Sequence, residues 1–362
     1  MKSVDVVIPC YNYGHYLPDC VESVLMQEGV KVRILIIDDC SSDNSGAVGK
    51  AIAQKNDCVE FRAHLKNCGH IATYNEGLLS WASADYSLLL SADDALAKGA
   101  LARAVQVMEG HKNVGMTYGL AQYINGEKYL PETPALSNNF NIISSEDFLN
   151  YCFVRGNALE SPTAVVRTKL QQRLGGYDPE LPHSGDMEMW MRFASNGPVG
   201  VVHAVQAYYR IHDRNMSRDY YNNLLRDSRE VIKACEKILL NWGDRFSNSS
   251  AWRAMMYQRL IEECYWVAGK AFEKGDIEGF RECYEFVTSF YHNAPVSKFL
   301  WRLRIKKMIG LPMWKTIKPC LNCIRSIHKN MPESKYVLEP REVRLNGWWP
   351  KKTMGYETIE TA

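Results

Sequence analysis

The sequence predicts an α/β fold built on a mainly parallel sheet with helices on both faces, and three observations carry that prediction. Short Val/Ile/Leu runs recur with little polar interruption, as strands covered on both faces require. Segments with helical spacing of apolar residues separate those runs. Polar and special residues gather where the runs end, at Pro9–Asn12, Asp38–Asp43 and Ser91–Asp94. In open α/β sheets the ligand crevice lies beyond the carboxyl ends of the strands, so three such ends point to a site.

Taken in order, VDVVIP (4–9) is strand-like and YLPDCVESVLMQ (16–27) carries a helical stripe at Leu17, Val21, Val24 and Leu25. VRILIID (32–38) is a second strand, followed by a polar turn and a helix to about Gln54. VEFRAH (59–64) and YSLLL (86–90) are strands flanking a helix over 71–82. A fourth helix spans 101–110, and VGMTYGL (114–120) forms a fifth strand. The pattern changes to long helical stretches from about Met216 to Phe290. The organisation expected is a main α/β domain over 1–217, a helical appendage over 218–296, a basic amphipathic segment over 297–330 and an irregular tail over 331–362.

The 362 residues suffice for one large domain with an appendage, and 46% hydrophobic content supports a sizeable core. A formal net charge of +2, from 43 basic and 41 acidic residues, argues against nucleic-acid binding by the chain as a whole. The 11 cysteines are odd in number and scattered through apolar runs, which reads as reduced thiols in a cytoplasmic setting. Cys320 and Cys323 form a C-x-x-C without a second pair at zinc spacing. The opening apolar stretch is broken by Asp5, Pro9 and Asn12, so no leader is expected, and no apolar run approaches the roughly 20 residues that cross a bilayer. Residues 298–329 contain nine Lys/Arg and no acid, interleaved with Phe299, Trp301, Leu303, Ile305, Met308 and Trp314. That composition suits either a solvated helix face or an amphipathic segment on an anionic membrane; the second reading is taken as the expectation.

Three strand ends carry chemistry. Asp93 and Asp94 close the run LLLSADD, where adjacent like charges repel unless a cation sits between them. Aspartates also cap helices and start turns; as a site, hard carboxylate oxygens suit Mg2+ or Mn2+, which keep positions open for phosphates. In IIDDCSSDNS (36–45), turn formation explains Ser41, Ser42 and Asp43 better than it explains Asp38 and Asp39, which end a buried strand. A carboxylate there can accept a hydrogen bond from a nucleobase N–H or a ribose hydroxyl. Tyr11 is either core or a platform for a nucleobase, a contact worth roughly 1–3 kcal/mol.

In combination these stretches resemble the family-2 glycosyltransferases, nucleotide-sugar-dependent enzymes of the GT-A fold. The P-x-Y-N-like strand end is Pro9, Cys10, Tyr11 and Asn12; the D-D-G-S-x-D-like turn is Asp38 to Asp43, with Cys40 in place of glycine. Asn67, Gly69, Asn75 and Gly77 match the N-x-G helix start, and Ser91 to Asp94 match D-x-D-D with its leading aspartate replaced by Ser91. HSGDMEMWMRFA (183–194) is similar to the E-D-x-D-L-W-x-R signature, with Gly185 for glutamate, and YRIHDRNMS (209–217) supplies Arg210, His212 and Ser217 of R-x-H-x-x-x-x-S. The resemblance covers roughly residues 4 to 217 and rests on separated elements that occur in order.

What the resemblance implies is an inverting transferase with Asp186 as general base, although Asp186 also suits a helix N-cap. The implied donor set is Pro9, Tyr11, Asn12, Asp39, Ser41, Gly69, Asn75 and Asp93, and the implied cation ligands are Asp93, Asp94 and His212, for Mn2+ or Mg2+. Glu188 and Trp190 are acceptor-side candidates. A nucleotide-sugar donor, UDP-linked by resemblance, and a glycan or lipid-linked glycan acceptor are the expected partners, at the cytoplasmic face of a membrane. Two other readings stand beside it. A nucleotidyltransferase would carry a glycine-rich basic phosphate loop after the first strand, which PCYNYGHY lacks. A non-catalytic sugar-nucleotide or carbohydrate-binding module would be marked by Ser91 and Gly185 as signs of a decayed site.

Overall fold

The computed structural model describes residues 1–126, 139–215, 224–289, 298–327 and 345–346. Ser217 and, apart from 345–346, the tail expected over 331–362 lie outside the described residues. Strands β1 (Ser3–Cys10), β2 (Lys31–Asp38) and β3 (Val59–Ala63) pair in parallel, and β4 (Tyr86–Leu89) joins the other side of β1, also in parallel. Their connectors are α1 (Leu17–Leu25), α2 (Ser45–Lys55) and α3 (His70–Asn75). Both faces are covered as predicted. Val4, Val6 and Ile8 of β1 pack with Leu17, Val21 and Leu101 on one side, while Val7 packs with Leu35 and Ile37 on the other.

The helix expected over 71–82 is α3 followed by a π-helical turn, Glu76–Trp81. The widened turn contains a tight approach to the sheet at Gly77. A Cβ on Gly77 would lie 2.3 Å from Val7 Cγ1, so only glycine lets this segment lie against β1.

Beyond β4 the topology departs from a simple parallel succession. The next elements are β5 (Ala95–Leu96), α4 (Ala100–Gly110), β6 (Met116–Asn125), β7 (Phe140–Ile143), α5 (Ser145–Arg155), β8 (Val165–Arg167), α6 (Thr168–Leu174), α7 (Gly185–Ala194) and β9 (Val199–Ile211). The sheet order is β3-β2-β1-β4-β8-β6-β9-β5, with β7 on β9. Strand β8 enters antiparallel between β4 and β6, whereas β6 and β9 run parallel over most of their length. Sequence periodicity does not announce β9: Gly200, His203 and Gln206 interrupt its apolar run without setting up a strict alternation.

The C-terminal helices are α8 (Leu224–Trp242), α9 (Ser249–Lys274), α10 (Ile277–Ser289) and α11 (Lys298–Ile327). They share a core with the sheet: one continuous cluster runs from Val7 through Phe153 and Trp190 to Trp252, Leu260 and Leu303. Phe153 and Trp252 stack with ring centroids 5.3 Å apart. The basic segment is anchored in the same way, because Phe299, Leu300 and Leu303 at the start of α11 are buried. The nine cysteines whose side chains are described are free thiols.

Candidate active site

A cleft of about 740 Å³ opens beyond the carboxyl ends of β1, β2 and β4, and its lining includes Pro9, Tyr11, Asp39, Gly69, Asp93, Asp94 and Asp186. The acid pair and Asp186, 92 positions apart in sequence at the nearest, therefore share one cavity. On the first wall, the Asp39 N–H donates to Cys10 O at 2.9 Å, tying the end of β2 to that of β1. The Asp39 carboxylate accepts from the Cys68 N–H at 2.7 Å and the Gly69 N–H at 2.9 Å. Gly69 adopts φ +84°, and a Cβ there would meet nothing within 4 Å, so this backbone edge faces open space. Tyr11 is 48% exposed on the cleft wall, an uncommitted aromatic face.

Behind Asp39 stands a group that sequence reasoning missed. His64 Nδ1 lies 2.7 Å from Asp39 Oδ1, and its Nε2 lies 2.9 Å from Glu76 Oε2. Burial disfavours the charged ring, but the hydrogen bonds to Asp39 and Glu76 outweigh it and raise the His64 pKa above its ordinary value. The available signal was His64 closing a strand that ends beside Asp38 and Asp39 (register Asp38 opposite Ala63).

Asp93 and Asp94 are both buried. Asp93 Oδ2 lies 3.0 Å from His212 Nε2, and its Oδ1 has no hydrogen-bond partner among the described residues. Asp94 Oδ1 accepts the Arg210 N–H at 2.9 Å. Burial and the neighbouring Asp93 charge push the Asp94 pKa well above the carboxylate range. A buried oxygen left without a donor is costly unless something cationic meets it. Two ligand atoms at right angles around one cation with bonds of about 2.1 Å stand about 3 Å apart, so Asp93 and His212 fit joint coordination. Among the described residues, the trio of ligand types with atoms all within 4.8 Å of one another is Asp39, His64 and Cys68 rather than Asp93, Asp94 and His212. The acid pair is thus an open arrangement, as suits a cation completed by substrate oxygens, while the Asp39 oxygens already accept two backbone N–H groups.

The opposite wall carries Asp186 in the first turn of α7, whose N-cap is Ser184 rather than Asp186. Asp186 Oδ2 accepts from Asn157 Nδ2 at 2.9 Å and from Ser161 Oγ at 3.2 Å. Burial raises its pKa to about 6; the Met187 N–H and His183 oppose the rise, and Glu160 adds to it. Asn157 and Ser161 also escaped the sequence reading; their signal was a polar pair just ahead of the apolar run AVVR.

Several expected site residues serve the scaffold instead. The Asn12 N–H donates to Ser41 Oγ at 2.8 Å, and Asn12 Oδ1 accepts the Ser42 N–H at 2.8 Å, so both residues clasp the ends of β1 and β2. Neither is part of the cleft lining. Cys40 in the same turn adopts φ +61°, the left-handed region that explains why a glycine suits this position. Asn75 bridges to the second wall, donating to Tyr177 O at 2.8 Å and accepting the Tyr177 N–H at 2.7 Å. Glu188 and Trp190 are buried on α7 away from the cleft. Glu188 pairs with Arg192, and Trp190 meets the Tyr177 ring edge-on at 6.4 Å. Helical period puts Glu188 about 200° round from Asp186, into the core, whereas Trp190, one turn along on the same face as Asp186, is covered by Tyr177.

Residues 5–164 match the model of the family described as Glycosyl transferase family 2. The chain is 28% identical over 148 residues to Glycosyltransferase GlyG of Streptococcus pneumoniae, covering 38% of this chain and 49% of that protein. It is 24% identical over 252 residues to the UDP-Glc:alpha-D-GlcNAc-diphosphoundecaprenol beta-1,3-glucosyltransferase WfaP of Escherichia coli, covering 66% of this chain and 91% of that one. The solved structure of S. aureus TarS 1–349 in complex with UDP-GlcNAc superposes with a TM-score of 0.62 at 16% identity, covering 100% of this chain and 99% of that one. At that identity the likeness establishes the fold.

Proposed function

The chain carries a family-2 glycosyltransferase domain on a GT-A fold, and from that premise we propose that it moves a sugar, with inversion, from a UDP-linked donor to a hydroxyl of a glycan or lipid-linked glycan. The observation that carries this reading is the cleft itself, in which Tyr11, Asp39, the acid pair and Asp186 all meet. The printed name of WfaP, a UDP-Glc donor with a diphosphoundecaprenol-linked acceptor, supports the same substrate classes.

In this reading the Tyr11 ring stacks on the uracil, and Asp39 accepts its N–H with the lone pairs left by Cys68 and Gly69. Pro9 shapes the strand end, and Gly69 leaves room for the donor to lie close to the backbone. Asp93, Asp94 and His212 would hold Mn2+ or Mg2+, which when bound neutralises the oxygens of the departing diphosphate. Asp186 Oδ2 takes the proton of the acceptor hydroxyl as that oxygen attacks C1 on the face opposite the diphosphate. The C1–O bond to the diphosphate breaks, its electron pair leaves on the phosphate oxygen, and the configuration at C1 inverts. Asn157 and Ser161 donate to the ionised carboxylate and aim it. A lipid-linked acceptor would be met at the cytoplasmic face of the membrane.

The test is transfer by the purified protein from a panel of nucleotide sugars, with Mn2+, Mg2+ or chelator, and NMR assignment of the anomer formed. Metal-dependent transfer with inversion is expected. Retention of configuration would end the single-displacement reading. Tight donor binding with neither transfer nor hydrolysis would favour a binding module.

A further inference from the structure

Helix α11 is finished on one side and unfinished on the other. On the inner side Phe299, Leu300 and Leu303 are buried, and the Lys306 ammonium is also buried, 4.8 Å from the Trp314 ring centroid and 5.6 Å from that of Tyr265. On the outer side Trp301, Ile305 and Met308 are 58%, 38% and 80% exposed. Their spacing of i, i+4, i+7 places them, at about 100° per residue, in one stripe opposite Leu303. Exposed cations border the stripe on both sides, Lys298 and Arg302 on one flank and Arg304 on the other, while Lys307 lies further round, 4.2 Å from the Tyr284 ring centroid. Past the break at Gly310 (φ 74°, ψ 169°), exposed Met313 and Lys315 continue the same composition. No Asp or Glu occurs from 298 to 318.

We propose that this outer face of α11 seats on an anionic lipid surface, with Trp301, Ile305 and Met308 at the headgroup boundary and the flanking cations on lipid phosphates. Charge complementarity selects that occupant: cations on both flanks, with no acid between 298 and 318, repel a second copy of the same face, and a lipid surface offers anions on both sides of an apolar stripe. A tryptophan at the centre of the stripe suits the interface between headgroups and acyl chains. The helix lies on the membrane instead of crossing it, because no helix among the described residues is long and apolar enough to span. These residues lie outside the cleft, so the inference stands or falls separately from the donor chemistry.

The experiment is co-sedimentation of the full chain, without donor, on vesicles of phosphatidylcholine alone and of phosphatidylcholine with phosphatidylglycerol, at low and high salt. Binding is expected on the anionic vesicles only, and it should weaken at high salt. Arg302→Glu/Arg304→Glu and Trp301→Ser/Met308→Ser should each weaken it by roughly tenfold or more. All four side chains are exposed, so melting temperature and circular dichroism should not change. Equal binding to neutral vesicles, no binding, or full binding by both variants would overturn the proposal. So would light scattering in which the wild type is a dimer that the Trp301→Ser/Met308→Ser variant dissociates, since the face would then belong to a second copy.

Discussion

The two walls of the cleft are built by opposite means. The wall holding Tyr11, Asp39 and Asp93 comes from the ends of three neighbouring parallel strands within the first 94 residues, with its carboxylates held from further along the chain, Asp39 by His64, Cys68 and Gly69 and Asp93 by His212. The wall holding Asn157, Ser161 and Asp186 comes from loops and a helix start, and it leans on the C-terminal helices. The His183 N–H donates to Glu230 Oε2 at 2.8 Å, and His183 Nε2 lies 3.2 Å from Asp227 on α8. In the proposed reading the strand-end wall meets the nucleotide, and the wall that leans on the C-terminal helices meets the acceptor. On that reading donor recognition and acceptor choice are linked through the Asn75–Tyr177 hydrogen bonds, and substitutions on either wall measure how far each can change alone.

The sharpest way to break that comparison is at the chemistry. Asp186→Asn should lower the transfer rate by about 10²–10⁴-fold while leaving the donor KM nearly unchanged. If the donor KM rises instead, the second wall also reads the nucleotide. Because the pKa of Asp186 is raised to about 6 by burial, the base form is lost as pH falls through that value. The rate should then drop tenfold per pH unit on the acid side, a limb absent from donor binding measured by calorimetry.

Asp93→Asn tests the first wall. It should abolish the Mn2+-dependent gain in melting temperature with UDP, which Asp186→Asn should retain. Equal loss in both variants would mean that the walls do not act separately. Glu188→Ala leaves Arg192 buried without its partner, so it should destabilise the fold by about 3–5 kcal/mol, read from the denaturant midpoint. Lost acceptor affinity at unchanged stability would restore Glu188 as an acceptor contact.

The smallest effect is expected at His64, which positions Asp39. His64→Gln should raise the donor KM severalfold with kcat unchanged. The folded His64 pKa lies above its unfolded value, so the stability it contributes is fully present below the ordinary histidine pKa and is lost as pH rises through the raised one. Stability of wild type and His64→Gln should thus converge at alkaline pH; a constant gap across pH would remove the charged ring from the account.

How far the sequence reached follows the same division. The first wall was legible because a continuous apolar run followed by a polar turn marks a buried strand and its ligand-facing end in one stretch. Even there, Asn12 and Ser41 were assigned to the donor although they clasp two strand ends, because hydrogen-bonding side chains at a turn look alike whether they serve ligand or backbone. Asn157 and Ser161 stayed hidden: nothing local says that a polar pair ahead of β8 will meet Asp186, 25 positions or more along the chain.

By itself the sequence determined the layered α/β plan, the strand-end carboxylates and the basic amphipathic character near the C-terminus, since periodicity and turn chemistry act over a few residues. Tertiary structure alone decided that Asp186 shares a cavity with the acid pair, that Glu188 and Trp190 are buried, that His64 braces Asp39, and which face of α11 stays bare. Those outcomes depend on which surfaces meet when the sheet and helices pack, and contacts between residues distant in sequence leave no periodic mark on it.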